Sequence, residues 1–190
     1  MGSEGYSMSL VRFATAEAVF ETFPELSQKI GTSPNERSPI DFLRSMINAG
    51  KLEDAVTFCA YVLPRREAVW WACRSARVAP GRIAEERAPA LLAAEAWVSD
   101  PDDEHRQAAL EAGTKGHCDD PLTWVALAAG WAGGFLVSSP YPAMPMPQYM
   151  TARATRTAIL MSALSANWEH RPAYLQARIA EGIRLAEGEA

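Results

Sequence analysis

The chain reads as an all-α fold, a compact array of seven or eight helices in antiparallel hairpins. Three observations predict it. Apolar residues recur three and four apart through most of the 190 residues, whereas runs of alternating β-branched residues are almost absent. Capping side chains stand directly before prolines at Ser38-Pro39, Asp100-Pro101 and Asp120-Pro121, the order found at helix starts. Hydrophobic residues make up 48% of the chain, with six Trp and six Phe, enough to fill one core without a disulfide or metal staple. A single domain over residues 1–190 is therefore expected, with residues 1–14 a flexible N-terminus and 138–148 a proline-rich loop. A short helical-repeat solenoid is the alternative, although no motif recurs at a period of about 34 to 45 residues.

Each element has its own signal. Thr15 can cap a first helix that runs to about Phe23 and is interrupted by Pro24. After Ser38-Pro39, the residues Ile40, Leu43, Met46 and Ile47 share one face until Gly50. Leu52, Val56, Cys59, Ala60 and Leu63 form the stripe of the next helix. Pro64 starts another, with Ala68, Trp71, Ala72 and Ala76 at helical spacing, and Pro80 closes it. Further helices are predicted over Ile83 to Val98 with a restart at Pro89, from Asp102 to Ala112 with Asp100 as cap, and from Leu122 to about Trp131. Tyr149 to Leu164 and Pro172 to Glu187 form the closing pair.

Charge and composition exclude several classes of function. A net charge of -5 gives no clustered positive field for phosphates, which argues against nucleic-acid binding. Leu122 to Val137 is uncharged but spans only about 24 Å as a helix, against about 30 Å of hydrocarbon, and Gly130, Gly133 and Gly134 interrupt it. No membrane span is expected. The N-terminus shows no basic segment followed by an apolar run, and Cys59, Cys73 and Cys118 lack CxxC spacing. Reduced thiols in a cytoplasmic protein are the simplest expectation.

No catalytic constellation is apparent. A GxSxG elbow is absent, and Gly130-Trp-Ala-Gly-Gly134 lacks the Lys-Ser/Thr end of a phosphate loop. His117-Cys118-Asp119-Asp120 has metal-ligand residue types, but neighbours on an extended chain point apart, so helix capping explains them better. The acidic group Asp100, Asp102, Asp103, Glu104 and His105 reads as a solvated helix start. Neither a metal nor a cofactor is expected, and the chain is read as a non-enzyme.

What stands out is the segment from Pro121 to Ala152, which carries no Asp, Glu, Lys or Arg although 22% of the chain is charged. It holds the proline-punctuated run Ser138 to Gln148. Spaced prolines favour an extended strand that loses little entropy on docking, and methionine adapts to an apolar partner. Trp131, Phe135, Tyr141, Met144, Met146 and Tyr149 are accordingly the candidate partner-binding residues. The same run could instead strap across its own bundle. A second candidate patch lies on one predicted helix, where Arg66, Trp70 and Arg74 fall at successive i+4 positions beside Arg65, so that guanidinium groups can stack on the indole or grip an acidic partner. The competing expectation is a buried Trp71 beside an Arg-flanked Trp70, with the arginines paired to Glu67 or Glu85.

Leu63-Pro-Arg-Arg-Glu-Ala-Val-Trp-Trp-Ala-Cys73, together with Gly130-Trp-Ala-Gly-Gly134, the proline run and Thr151-Ala-Arg-Ala154, resembles the two motifs of an uncharacterised bacterial family of unknown function. The likeness covers roughly Ile40 to Ala186. Phe135 stands where that family's second motif usually has serine. The resemblance implies a small, alanine-rich cytosolic protein, often encoded near type VI secretion components such as PAAR-like tip proteins, and it brings no catalytic residues with it. A protein-binding accessory or chaperone-like adaptor for a secretion effector or tip protein is the resulting expectation. A small-ligand binder or enzyme with a pocket beneath the proline-rich loop, or a structural homo-oligomer, are the alternatives.

Overall fold

Most helices begin at a capping side chain or a first-turn proline, α3 after Lys51 being an exception. A computed structural model describes residues 9–79, 88–136, 144–164 and 169–189. Among them are α1 (Ala16–Thr22), a 3-10 turn (Pro24–Gln28), α2 (Pro39–Asn48), α3 (Leu52–Val62), α4 (Arg65–Arg77), α5 (Ala88–Ser99), α6 (Asp103–Lys115), α7 (Pro121–Gly130), α8 (Gln148–Leu164) and α9 (Arg171–Ala186). A two-stranded antiparallel hairpin, β1 (Phe135–Leu136) and β2 (Met144–Pro145), lies between α7 and α8.

Among the described residues there are nine α-helices, against the seven or eight expected. Thr15, Ser38, Asp102 and Asp120 each accept a backbone N–H with the side chain, and Pro24, Pro39, Pro121 and Pro172 stand in first turns. Asp102, not Asp100, caps α6: its Oδ1 accepts the His105 N–H at 2.8 Å, so the chain enters the helix two residues later than the Asp-Pro pair suggests. That helix also continues past Ala112 to Lys115. The start expected for α5 at Ile83 lies outside the described residues.

The apolar faces assemble into two clusters. The first joins α1, the 3-10 turn, α2, α3 and α9, with Phe20, Phe42 and Phe58 in mutual edge or tilted contact. The second joins α5, α6 and α7 around Leu91, Trp97, Ala109 and Val125. Two helices serve both. On α4, Ala68 and Trp71 face the first cluster while Val69, Ala72, Cys73 and Ala76 face the second. On α8, Ala152, Ile159 and Ala163 face the first while Ala154 and Ala158 face the second. α8 touches α3, α4, α7 and α9, and small side chains are what allow one helix so many neighbours.

Polar contacts fasten α4 to α9. Trp71 Nε1 donates to the Arg178 carbonyl at 2.8 Å, Tyr174 Oη donates to the Ser75 carbonyl at 2.7 Å, and the buried Glu181 receives both Arg74 and Arg178. A buried carboxylate is tolerable here because two guanidinium groups replace its water. Residues 9–14, expected to be flexible, run against the same end: Leu10 N–H donates to the Ala186 carbonyl at 2.8 Å, and Val11 and Phe13 pack on the first cluster. Their apolar side chains explain the docking. Residues 1–8 lie outside the described residues. Among the described residues no helix is long and apolar enough to cross a membrane.

Candidate functional site

The charge-free segment begins in α7 and leaves it through a sharp reversal. Gly130 ends the helix where an added Cβ would stand 2.6 Å from the Leu110 Cα of α6, so the two backbones meet in a way that only glycine permits. Gly134 then adopts φ +76° and lies flat on the guanidinium of Arg106, where a Cβ would come 2.8 Å from Cζ. Arg106 is a buried cation, 7% exposed, whose charge is held by Asp103 Oδ1 at 2.6 and 2.8 Å and whose Nη1 donates to the Gly130 carbonyl at 3.0 Å.

Beyond Gly134 the chain forms the hairpin, with Phe135 opposite Pro145 and Leu136 opposite Met144. The return strand is tied back by the Met146 N–H, which donates to the Gly134 carbonyl at 2.9 Å. Arg65, the first residue of α4, reaches both arms: Nη1 donates to the Ala132 carbonyl at 2.9 Å and Nη2 to the Met146 carbonyl at 2.7 Å. Burial, and then the neighbouring Arg12, lower the pKa of Arg65. Fixed carbonyl dipoles take the place of the lost water.

The candidate contacts therefore separate. Phe135 and Met144 are 59% and 60% exposed, large apolar side chains standing on an anchored base. Trp131 is half-buried in an edge contact with Trp124, ring centroids 6.5 Å apart, and Trp124 donates to the Cys118 carbonyl. Tyr149 is half-buried against the first cluster, with the Arg153 guanidinium 5.9 Å from its ring centre. Met146, expected to be an exposed contact, is buried at 8% exposure: it follows the return strand into the protein, and its carbonyl is occupied by Arg65, so in the monomer it supports the hairpin and does not face solvent. Tyr141 lies outside the described residues, as do the rest of 137–143.

The arginine patch is divided in the same way. Arg65 is engaged by the hairpin base. Arg66 Nε donates to the Val98 carbonyl at 2.7 Å, tying α4 to the end of α5. The Arg74 guanidinium lies 5.7 Å from the Trp70 ring centre while also paired with Glu181, and Arg77 pairs with Glu95; Glu85, one of the two glutamates expected as partners, lies outside the described residues. Trp71 is fully buried beside a half-buried Trp70, the arrangement expected if the helix serves the core.

Beneath the hairpin base, Phe23, Tyr61, Leu63, Arg65, Gln148 and Thr151 line a crevice with no room for a water-sized sphere. The Thr151 hydroxyl is buried there without a hydrogen-bond partner, and burial, followed by the nearby Glu25 carboxylate, raises the Tyr61 pKa. Convergent polar groups are present, but the volume of a ligand is not. An open groove of about 640 Å³ lies elsewhere, along Lys51, Glu53, Asp54 and Arg171, where Arg171 pairs with Glu53 at 2.7 Å. Asp100, Asp102 and His105 can bring one ligand atom each within 4.8 Å of one another, but Asp102 is committed to capping α6 and to His105 Nδ1. Asp120 likewise caps α7, accepting the Leu122 N–H at 3.0 Å.

A helical fold with an uncharged, apolar hairpin anchored by the buried Arg106 and the half-buried Arg65 defines the class. Within it the chain belongs to a family of unknown function, DUF6931, whose sequence profile matches residues 42–186. That span takes in both motifs, so the clasped hairpin lies inside the family's own domain. Comparison with curated proteins and with solved structures finds no match.

Proposed function

We propose that the protein is a non-enzymatic binding module whose hairpin docks an apolar segment of another protein, as an accessory or chaperone-like adaptor does. The observation that carries this is the exposure of Phe135 and Met144 on a base that cannot retract them. The return strand bonds Gly134, and Arg65 holds both arms. Large apolar side chains on an uncharged surface are a cost in water unless something covers them, and full burial of each contributes about 1.5 to 3 kcal/mol to association. With no charged side chain from Pro121 to Ala152, docking there would not strand an unpaired ion.

The motif resemblance narrows the partner to a bacterial type VI secretion effector or PAAR-like tip protein, held in the cytoplasm before export. The test is affinity capture from a native host with wild type and with the double variant Phe135→Ser, Met144→Ser. The expected result is a secretion effector or tip component recovered by wild type and lost by a variant whose circular dichroism is unchanged. Equal recovery by both would sink the reading. Sedimentation at micromolar concentration separates it from self-association: a stable dimer abolished by the same variant would make the surface a homo-oligomer contact instead.

A further inference from the structure

The described strands that present Phe135 and Met144, Phe135–Leu136 and Met144–Pro145, are too short to hold themselves in place. They are two residues each, below the size at which a hairpin is independently stable in water, and the entry to them runs through Gly133 and Gly134. Such short strands need support from outside the hairpin. Arg65 is placed to supply it: Pro64 sets the start of α4, and the buried Ala68, Val69, Trp71 and Ala72 fix that helix against both clusters. From this fixed point one planar guanidinium reaches two carbonyls 14 positions apart in sequence, Ala132 before the hairpin and Met146 after it.

We infer that Arg65 is the positioning residue of the hairpin, a clasp that closes the chain between Ala132 and Met146 and so sets how Phe135 and Met144 are presented. A rigid fork of donors can span both carbonyls, whereas a lysine ammonium is a point donor on a flexible stem and satisfies one at a time. The two sequence motifs become one device: Leu63–Cys73 supplies the guanidinium, and Gly130–Gly134 supplies the first carbonyl and the reversal. Arg106 completes the base from the other side by packing on Gly133 and Gly134. The functional consequence rests on the docking reading above, but the clasp itself does not.

The experiment is amide hydrogen exchange on the isolated full chain, read at Met146, whose N–H donates to Gly134, and at the buried helical residues Ala109 and Val125. Arg65→Lys is expected to speed Met146 exchange about tenfold and Arg65→Met about a hundredfold, from the loss of one and then two charge-assisted bonds, with Ala109 and Val125 unchanged. Arg44→Met, which removes a surface cation far from the hairpin in sequence, should leave all three alone. Met146 protection at the wild-type level in both Arg65 variants would overturn the inference. So would a loss at Met146 that merely keeps step with Ala109 and Val125 in the lysine variant, since Arg65 would then be an anchor of the whole fold. Because no partner is present, this result stands or falls separately from the capture experiment.

Discussion

At the scale of single residues, small side chains decide where helices can meet. Gly182 of α9 faces Cys59 of α3 and Trp71 of α4, and a Cβ there would lie 2.6 Å from the cysteine sulfur and 3.1 Å from the indole. Gly182→Ala gains about 0.5 to 1 kcal/mol in helix propensity but incurs overpacking of about 1 to 3 kcal/mol, so the net effect is destabilising. In a Cys59→Ala background the nearest obstruction is gone, and the same substitution should approach neutrality. A double-mutant cycle by urea denaturation reads this directly, and additive effects would show that the sulfur is not what fills the site. The sequence marked Cys59 and Trp71 as core residues from their spacing. Nothing in it marked Gly182 as their partner, because a glycine in a helix carries no sign of what it leaves room for.

At the scale of elements, the glycine cluster joins α6 to α7 before it forms part of the hairpin. Gly130 against Leu110, Gly113 against Leu127 and Gly116 against Thr123 make three close approaches along one pair of helices. Gly130→Ala would press its Cβ into the backbone of Leu110, which cannot turn aside as a flexible side chain could. The expected cost is about 1 to 3 kcal/mol, or a Tm lower by roughly 2 to 12 °C. An unchanged Tm in differential scanning calorimetry would mean that α6 and α7 separate at no cost. Helix starts were legible from sequence wherever a cap or a proline marked them, as at Thr15, Ser38 and Asp120. Asp100-Pro101 misled, because an Asp at the next position but one offered an equally good acceptor closer to the helical run. The candidate surface was only half legible: the absence of charge showed where it lies, but Phe135, Met144 and Met146 are equally apolar in sequence. Which of them faces solvent follows from the direction of the return strand.

At the scale of the whole molecule, α4 and α8 give side chains to both apolar clusters, so neither cluster can be dismantled without exposing the other's helices. Unfolding is expected to be cooperative: far-ultraviolet circular dichroism, tryptophan fluorescence and calorimetry should share one midpoint, although Trp71 reports from the first cluster and Trp97 from the second. Two separated transitions would show that the clusters are independent units. The sequence by itself determined the helical class, most element starts, the buried faces and the uncharged segment, because periodicity, caps and composition act within a turn or two of chain. Only the tertiary structure decided that Arg65 bonds the Ala132 and Met146 carbonyls, that Arg74 and Arg178 share Glu181, and that Met146 is buried while Met144 is exposed. All of those pairings but Arg178–Glu181, which lies within one helical turn, join residues tens of positions apart, and a guanidinium's partners are set by which carbonyls and carboxylates the packed helices bring within its reach.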